Sequence, residues 1–508
     1  MKKILLITPT AFKLNQKCKG SWSRESYYLP LAHLYLSGAL ARHFEVAVLD
    51  LNTLRLWEEA PDQIPAKVTA AVTRAVREAR PFLVGINCKF SGHIKQAVEI
   101  AGLVKALDPK MKTAVGGIHP TIFSEDMIRN CPDIDFVLQG EGEENTVALA
   151  LKNGSSLADI DGLTWRGPDG QVINQPKTSF IADPDQIPRP AYHLFDFQNY
   201  AIDTSLWHNP KKMSIGVPVP FITSRSCPQR CNFCCMFRAM GSRFRPRSAG
   251  HVLDEMEFLY YEHGTRYFEI MDDNFTLNKK RTLEICRGII ERKMDIQFRP
   301  VNGLSVNSLD EQVADALAEA GLVWAPIAVE SGSDYIRNQV MGKRLELKKV
   351  FEVVRAFKRH PQIILTAFFI IGLPEDTPET LAATYRLIEE MEVDDCLVTN
   401  AAPFPGTALY EQCLRENLLL QDDLGRWSDD TLFSAQQRTD FFIRPKNMNL
   451  EELTSYRAMF DELRLRKMSP QYRAISRTVR EAESRPAHPA TPYTKHGIQS
   501  ELDASRLA

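Results

Sequence analysis

Residues 227–234 have the sequence Cys-Pro-Gln-Arg-Cys-Asn-Phe-Cys, which places three thiols, Cys227, Cys231 and Cys234, at the spacing C-x3-C-x2-C. The motif follows directly on Val217–Ser224, an apolar stretch that predicts a buried strand. Three thiolates suit a 4Fe-4S cluster in which cysteine holds three irons and the fourth stays open to a small molecule. The alternatives are three buried cysteines or a zinc site, although zinc usually takes a fourth ligand and none is evident nearby.

The region around this motif alternates apolar stretches with helical patterns. The predicted strands are Val217–Ser224, Tyr267–Met271, Gln297–Val301, Trp324–Glu330, Leu365–Ile371 and Cys396–Asn400. The predicted helices are His251–Glu262, Lys280–Arg292, Leu309–Ala320, Lys348–Lys358 and Pro378–Met391. Six strand–helix units of this kind predict a partial (β/α)6 barrel with its site at the carboxyl ends of the strands.

Local signals mark several helix ends in this region. Thr377 before Pro378, with Thr380 three positions on, predicts an N-cap. Gly264 and Gly321 stand where the preceding helices should stop.

The amino-terminal region shows the same alternation of strands and helices. The predicted strands are Lys3–Thr8, Glu45–Leu51, Phe82–Cys88, Thr113–Gly116 and Phe136–Gln139. The predicted helices are Leu31–His43, Ile64–Ala79, Ile94–Leu107, Ile122–Asn130 and Glu143–Lys152. This pattern predicts an α/β domain with a doubly wound, flavodoxin-like parallel sheet that binds its ligand at the carboxyl ends of the strands.

The chain is expected to contain five segments. They are the doubly wound domain at 1–153, a hairpin and proline-rich linker at 154–214, the barrel at 215–430, a small helical region at 431–468 and a polar, flexible tail at 469–508. The hairpin is predicted from a Pro-Asp-Gly turn at 168–170 between Leu163–Arg166 and Gln171–Asn174. The carboxyl-terminal helix is predicted at Glu451–Arg466.

Composition excludes several classes of protein. The 508 residues are 44% hydrophobic and 25% charged, which is ordinary for a globular chain. Lys and Arg number 62 against 64 Asp and Glu, a net charge of −2 that argues against a nucleic-acid binder. No apolar run is long enough for a membrane span and no secretion signal is recognised, so a cytoplasmic protein with reduced thiols is expected. The cysteines predicted as small buried side chains are Cys18, Cys88, Cys131, Cys286, Cys396 and Cys413.

The cysteine spacing, with Phe233 before the third thiol, resembles the radical S-adenosylmethionine superfamily over about 215–430. The resemblance implies that Cys227, Cys231 and Cys234 bind a 4Fe-4S cluster whose open iron binds S-adenosyl-L-methionine (SAM). It implies SAM contacts at Phe233, Asp272, Asp273, Asn274, Glu330, Ser331, Gly332, Gly372 and Pro374. Phe368 departs from the family, which often has glycine there. Without the resemblance, the Asp-Asp-Asn at 272–274 would be interpreted as a solvated turn or helix cap, and the Gly-Leu-Pro-Glu at 372–375 as a turn.

With such a barrel behind it, the first domain resembles that of the cobalamin-binding class of this superfamily. The resemblance rests on Gly-Gly-Ile-His-Pro at 116–120 and Gly-Glu-Gly-Glu at 140–143. It implies cobalamin contacts at Thr8, Asn52, Ser91, Gly92, Gly116, Gly117, His119, Gly140 and Glu141. The Asp-x-His-x-x-Gly motif, whose histidine binds cobalt in many cobalamin proteins, is absent. His119 is therefore either a substitute cobalt ligand or a hydrogen-bonding loop residue. A first domain that binds nothing is a further alternative.

The resemblance implies a radical enzyme, since an electron from the cluster cleaves SAM to a 5′-deoxyadenosyl radical that abstracts hydrogen from an unactivated carbon. The leading hypothesis is a class B enzyme that uses cobalamin to methylate that carbon and consumes two SAM molecules per turnover. The alternatives are radical dehydration, cyclisation or rearrangement without methyl transfer, and a non-enzymatic corrinoid or iron–sulfur sensor. The catalytic residues beyond the cluster and SAM, the identity of the substrate and the oligomeric state have no signal in the sequence.

The expected partners are a small-molecule substrate and an electron donor such as flavodoxin or ferredoxin. Four arginines close to the cysteine motif form a basic run, namely Arg238, Arg243, Arg245 and Arg247. This run predicts either a solvated surface or a face that docks an acidic electron donor or an anionic substrate.

Overall fold

The computed structural model describes residues 2–10, 29–56, 59–60, 62–89, 93–152, 157–200, 208–420 and 441–475. The chain forms two compact units. The first contains the described residues of Met1–Tyr200 and also Cys235–Ser242. The second contains the described residues of Ala201–Cys234, Arg243–Asp422 and Ser434–Ala508. The predicted tail lies outside the described residues beyond 475.

The first unit is built on a seven-stranded sheet. Its strands are β1 (Lys3–Thr8), β2 (Glu45–Asp50), β3 (Leu83–Asn87), β4 (Lys112–Gly116), β5 (Phe136–Leu138), β6 (Leu163–Arg166) and β7 (Val172–Asn174). Their order is β2-β1-β3-β4-β5-β6-β7, and the first five are parallel. The order of those five strands is that of a flavodoxin-like sheet, so the predicted doubly wound fold is confirmed.

Helices cover both faces of this sheet. They are Leu31–Ala41, Ile64–Ala79, Ile94–Leu107, Ile118–Ile122, Ser124–Asn130, Gly142–Lys152 and Met236–Met240, with short 3-10 turns at Leu51–Leu54, Leu157–Asp159, Pro184–Gln186, Tyr192–Leu194 and Phe197–Tyr200. Successive strand residues point to opposite faces. Accordingly, Leu5 and Ile7 belong to one apolar cluster, and Ile4 and Leu6 belong to the other.

The structure differs from the sequence prediction at two places in this unit. The hairpin of β6 and β7, expected in a connector, extends the sheet because β6 pairs antiparallel with β5. Strand β5 has three residues and would otherwise leave an open sheet edge, which β6 covers with the buried Trp165 opposite Phe136. The helix predicted at Ile122–Asn130 begins two residues later, at Ser124, and a separate short helix, Ile118–Ile122, precedes it.

The second unit contains two three-stranded parallel sheets and a small antiparallel pair. Its strands are β8 (Val219–Phe221), β9 (Ser224–Arg225), β10 (Arg245–Pro246), β11 (Tyr267–Ile270), β12 (Gln297–Pro300), β13 (Trp324–Glu330), β14 (Ile364–Ile371) and β15 (Asp395–Asn400). The orders are β12-β11-β8 and β13-β14-β15, and isolated parallel bridges at Phe298–Leu322 and Leu304–Ile327 join the two sheets. Six parallel strands in chain order confirm the partial barrel.

Helices follow the barrel strands as the alternation predicts. They are Ala249–Glu262, Lys279–Glu291, Glu311–Glu319, Leu347–Lys358, Pro378–Glu390, Ala408–Arg415 and Leu450–Lys467, with a 3-10 turn at Val306–Ser308 and a π-helix at Tyr335–Val340. Thr377 and Thr380 form the predicted cap of Pro378–Glu390. Gly264 and Gly321 have φ of +64° and +103°, so both glycines end helices as expected. No helix in the described parts of the chain is both long and apolar enough to cross a membrane.

The carboxyl-terminal helix Leu450–Lys467 packs on β15. Arg464 donates from two nitrogens to the Asp395 carboxylate, at 2.7 Å each, and Arg457 donates to the Val398 carbonyl. This helix therefore covers the last strand of the open barrel.

Gly321→Ala is expected to destabilise the protein, because a Cβ at Gly321 would lie 2.3 Å from the Ile296 carbonyl oxygen. Its left-handed backbone adds strain on the order of 1–3 kcal/mol. Thermal unfolding should begin several degrees lower than in the parent protein. Gly250→Ala is the control, since no atom lies within 4 Å of its Cβ position and the residue is helical. Equal melting of the Gly321→Ala variant and the parent would contradict this assignment.

Candidate active site

The cysteine loop begins where the first barrel strands end. Cys227, Cys231 and Cys234 are partly exposed, whereas the cysteines that match the predicted core positions within the described residues are all buried, namely Cys88, Cys131, Cys286, Cys396 and Cys413. Cys18 lies outside the described residues. The three motif thiols are therefore open to a ligand, and the alternative of three buried cysteines is wrong.

Backbone hydrogen bonds hold the loop from two sides. The Asn232 N–H donates to the Met341 carbonyl at 3.3 Å, and the Leu409 N–H donates to the Asn232 carbonyl at 2.9 Å. Within the loop, the Cys234 N–H donates to the Cys231 carbonyl at 3.1 Å. The loop conformation is thus fixed by its neighbours.

Asp272, at the end of β11, holds the segment that leads into the loop. Its carboxylate accepts hydrogen bonds from the Thr223 N–H and Oγ1 at 2.6 Å each and from the Ser224 hydroxyl. Burial raises the pKa of Asp272, and the charge of Arg281 and these hydrogen bonds oppose that rise. The donors belong to Thr223 and Ser224, so the Asp272 carboxylate connects the end of β11 to residues that precede the cysteine motif.

The next two residues, Asp273 and Asn274, also contact the segment around the first cysteine. Asp273 accepts a hydrogen bond from the backbone N–H of Ser226, and burial followed by the charge of Asp272 raises its pKa to about 6. The Asn274 amide donates to the Cys227 sulfur at 3.8 Å. Residues 272–274 therefore contact successive parts of residues 223–227, and we refer to these three residues as the strand-end clamp.

A buried ion pair of Lys343 and Glu330 acts electrostatically on the thiol of Cys231. Lys343 Nζ is 2.9 Å from Glu330 Oε1, and the two side chains are 10% and 8% exposed. Burial opposes the charge on Lys343, but Glu330 and Cys231 outweigh it and raise the pKa of the ammonium. Burial raises the pKa of Cys231 to about 11, with Lys343 acting in the opposite direction and Cys234 and Cys227 adding to the rise. The ammonium is therefore close enough to act on the cysteine cluster.

Glu330 has an unusual backbone, with φ of +72° at the end of β13. A bulky residue in the left-handed region carries strain that surrounding contacts must offset. The ion pair to Lys343 is one such contact, and it fixes the carboxylate at the carboxyl end of the barrel. Sequence reasoning found Glu330 and missed Lys343, because no local signal distinguishes that lysine.

Ser331 and Gly332 serve packing against the helix Pro378–Glu390. Thr384 Oγ1 lies 3.2 Å from the Ser331 hydroxyl and accepts the Gly332 N–H at 3.0 Å. A Cβ on Gly332 would lie 2.4 Å from the Ala383 carbonyl oxygen. Gly332 is therefore needed for this close approach, whatever else it contacts.

The turn after β14 is held by a buried carboxylate. Asp376 accepts hydrogen bonds from the Gly372 and Leu373 N–H groups at 2.9 and 3.0 Å, and burial raises its pKa to about 6. Gly372 has φ of +84°, and the buried Pro374 accepts a hydrogen bond from the Lys446 backbone. Phe368 and Phe233 are partly exposed.

The predicted basic surface is wrong for two of its four arginines. Arg247 is buried and ion-paired with Glu255, and it donates to the Ile222 carbonyl at 2.7 Å. Arg245 is also buried, in the antiparallel pair of β9 and β10. Arg238 and Arg243 are exposed. Two of the four charges thus support the fold and do not form a docking face.

In the first unit, the predicted residues at the ends of β1 and β2 make internal contacts. Thr8 Oγ1 lies 2.7 Å from His33 Nδ1, and burial lowers the pKa of His33 to about 3, so the imidazole is neutral. The Asn52 amide nitrogen donates to Asp50 at 2.8 Å and to the Pro9 carbonyl at 3.2 Å. The side chains of Thr8 and Asn52 therefore already form hydrogen bonds within the protein.

The end of β4 brings two chain segments into close approach. Gly117 has φ of +132°, and a Cβ there would lie 2.2 Å from the Cys88 carbonyl oxygen. His119 is 1% exposed, its ring lies 4.9 Å from that of Phe123, and burial lowers its pKa to about 4. The imidazole is neutral and packed in the interior.

The end of β5 is covered by the segment that follows the hairpin. A Cβ on Gly140 would lie 2.8 Å from the Lys177 side chain, and Glu141 accepts a hydrogen bond from the Ile181 N–H at 2.8 Å. Ser91 and Gly92 lie outside the described residues.

The donor set suits a cluster with one cysteine on each of three irons. Among the described residues, no three His, Cys, Asp or Glu side chains lie close enough together to hold a single metal ion. The motif supplies three partly exposed thiols. The Asn274 amide, which donates to Cys227, and the Lys343 ammonium offset the negative charge that three thiolates bring to an iron–sulfur cube.

Comparison with known families and proteins agrees with this geometry. Residues 221–388 match the model of the radical SAM superfamily, and residues 23–150 match that of the B12 binding domain. An uncharacterised methyltransferase of Pyrococcus horikoshii is 32% identical over 461 residues, which cover 87% of this chain and 93% of the relative. The cytidylyl-2-hydroxyethylphosphonate methyltransferase of Streptomyces wedmorensis is 25% identical, with coverage of 82% and 83%.

Two solved structures share the fold. The radical SAM methyltransferase TsrM from Kitasatospora setae, with cobalamin and a 4Fe-4S cluster bound, aligns with a TM-score of 0.61 at 20% identity, over 81% of this chain and 75% of that one. The cobalamin-dependent SAM radical enzyme OxsB, with aqua-cobalamin and SAM bound, aligns with a TM-score of 0.66 at 15% identity, over 100% and 80%. Both show a shared fold.

Asp272→Ala is expected to lower iron and sulfide bound per chain after anaerobic reconstitution, because it releases the segment that leads into the cysteine loop. The loss of a buried charged acceptor for three donors costs on the order of 3 kcal/mol. Asp272→Asn, which keeps one acceptor oxygen, should load an intermediate amount. Asp315→Ala, at a surface ion pair with Arg359, is the control and should load fully. Full loading of Asp272→Ala would show that the clamp is not required.

Proposed function

The chain belongs to the cobalamin-dependent radical SAM family, and we propose that it transfers a methyl group to an unactivated carbon of a small-molecule substrate. The observation that carries the proposal is the set of three partly exposed thiols at the carboxyl end of the barrel, together with a buried Glu330–Lys343 pair that interacts electrostatically with Cys231. Methyltransferase relatives that align over most of the chain support the methyl-transfer outcome.

The cofactors of the family are a 4Fe-4S cluster, SAM and cobalamin, which together supply a 5′-deoxyadenosyl radical and a transferable methyl group. We assign the cluster to Cys227, Cys231 and Cys234. The strand-end clamp orients the loop that carries these thiols, and the partial burial of the loop limits the access of water to the cluster.

Glu330 and Lys343 are the proposed partners of the methionine part of SAM. This group carries an amino group, which keeps N–H donors when its nitrogen binds iron, and a carboxylate. The buried pair offers one charge of each sign to these two groups. The Asn274 side-chain carbonyl oxygen is buried with no hydrogen-bond partner among the described residues, so it is a further acceptor for the N–H groups of that amino group.

The remaining SAM assignments divide into contact and support. We keep Phe233, Asp273, Gly372 and Pro374 as proposed contacts at the loop and at the turn after β14. The support residues are Asp272, Ser331 and Gly332. Asp272 holds the segment that leads into the cysteine loop, and Ser331 and Gly332 pack closely against the helix Pro378–Glu390.

Cobalamin is assigned to the carboxyl edge of the first unit's sheet. Gly116 and Gly117 are kept as proposed contacts through their backbone, and the absent Cβ of Gly117 is already used by the approach of the Cys88 carbonyl. Thr8, Asn52, Gly140 and Glu141 would likewise contact cobalamin mainly through their backbone, since protein groups contact or cover these positions. His119 is proposed as an interior packing residue and not as a cobalt ligand, because its ring is 1% exposed. Ser91 and Gly92 remain proposed cobalamin contacts on the basis of the sequence.

The radical step needs one electron from outside the chain, and a flavodoxin or ferredoxin is the proposed donor. A cytoplasmic location is proposed for the same reason, because free thiols and a reducible cluster need a reducing compartment. A second outcome is also represented among relatives: the anaerobic magnesium-protoporphyrin IX monomethyl ester cyclase of Rubrivivax gelatinosus is 25% identical, with coverage of 81% of this chain and 70% of the relative. Cyclisation without methyl transfer is therefore the alternative.

Products distinguish the two outcomes. Protein reconstituted with iron, sulfide and cobalamin, then given SAM and dithionite, should release both 5′-deoxyadenosine and S-adenosylhomocysteine. Cys231→Ala should release neither above background when assayed by mass spectrometry, while Cys235→Ala, outside the motif, should release both. Release of 5′-deoxyadenosine alone by the parent protein would favour the alternative.

Glu330→Gln and Lys343→Met are expected to weaken SAM binding about 10-fold or more, because each removes a charged hydrogen-bond partner. The dissociation constant is measured by equilibrium dialysis on reconstituted protein with its iron content checked. Lys348→Met, at an exposed lysine, is the matched control and should bind as the parent does. Unchanged affinity in both charged-pair variants would remove the pair from the SAM site.

A further inference from the structure

The amide of Asn274 contacts the sulfur of a proposed cluster ligand. Its Nδ2 lies 3.8 Å from Cys227 Sγ, a distance suited to a sulfur acceptor, which is larger than oxygen. The residue is 2% exposed. The N–H···S contact therefore lies in a region of low dielectric constant, where a hydrogen bond is stronger than in water.

The protein itself fixes the direction of this amide. The preceding residue in the clamp, Asp273, accepts a hydrogen bond from the Ser226 N–H. The following residue, Phe275, is 2% exposed and packs edge-on against Phe298 at a ring distance of 6.3 Å. Both neighbours are anchored in the barrel, so the N–H is aimed at Cys227 before any cluster binds.

We propose that Asn274 is a positioning residue whose N–H···S hydrogen bond to Cys227 raises the reduction potential of the cluster. The inference rests on the proposed function, since it requires the cluster at Cys227. Reduction takes one electron from the donor into the cluster, with no bond broken and no proton moved. The added negative charge is shared with the sulfurs, so a donor to sulfur stabilises the reduced form more than the oxidised form.

The side-chain amide of Asn302 allows the effect of the sulfur contact to be distinguished from structural support of the backbone at residues 271–272. Asn302, just past the end of β12, donates from Nδ2 to the Met271 carbonyl at 2.8 Å and to the Asp272 carbonyl at 3.3 Å. It braces the backbone of β11 next to the clamp without touching sulfur. Loss of bracing should therefore affect variants at both amides, whereas loss of the sulfur contact should affect variants at Asn274 alone.

The test is a potentiometric titration of the full-length reconstituted protein without SAM, followed by electron paramagnetic resonance of the reduced cluster. Asn274→Leu keeps a similar volume and removes the donor. We expect a reduced-to-oxidised ratio about 10-fold lower at the same applied potential, which is 59 mV for a one-electron couple. Asn274→Asp should shift the ratio further in the same direction, because it places carboxylate oxygen against sulfur. Asn302→Leu should leave the ratio unchanged.

A second measurement uses the unmodified sequence, in case a variant fails to assemble its cluster. Protein labelled with 15N in its asparagine side chains should show hyperfine coupling between an amide nitrogen and the reduced cluster in pulsed resonance. No such coupling, an unchanged ratio in Asn274→Leu, or an equal shift in Asn302→Leu would overturn the inference. Absence of any reduced-cluster signal in the parent protein would instead overturn the proposed function.

Discussion

The proposed active site depends on holding three thiols apart while leaving space between them. Thiolates repel one another, and burial makes their ionisation harder, as the raised pKa of Cys231 indicates. The protein offsets this cost locally, with the Lys343 ammonium near the cysteines and the Asn274 amide on Cys227. The strand-end clamp fixes the segment that precedes the loop, so the thiols are presented by a preorganised scaffold.

The barrel explains why these groups meet. Parallel strands end at the same edge, and residues far apart in the chain converge there: the cysteine loop, the clamp after β11 and Glu330 at the end of β13. Polar residues at this edge serve two purposes. Asp272 and Asp376 satisfy backbone or hydroxyl donors of the scaffold, whereas Glu330 and Lys343 form a charged pair beside the thiols.

Much of the fold could be predicted because buried parallel strands are continuous apolar runs with turn signals at their ends. The strand β13 and the helix Ile64–Ala79 were predicted at their observed bounds. Long-range partners were not predictable from local pattern. The hairpin of β6 and β7 gave no sign of joining the first sheet, and Arg247 gave no sign of its buried partner Glu255.

The cluster proposed at the three thiols leaves one iron free for the amino and carboxylate groups of SAM. Electron–nuclear double resonance on the reduced, reconstituted protein tests it with SAM that carries 15N in its amino group. A strong nitrogen coupling should appear when labelled SAM is added. A reduced cluster whose spectrum shows no coupling to the added nitrogen would contradict it.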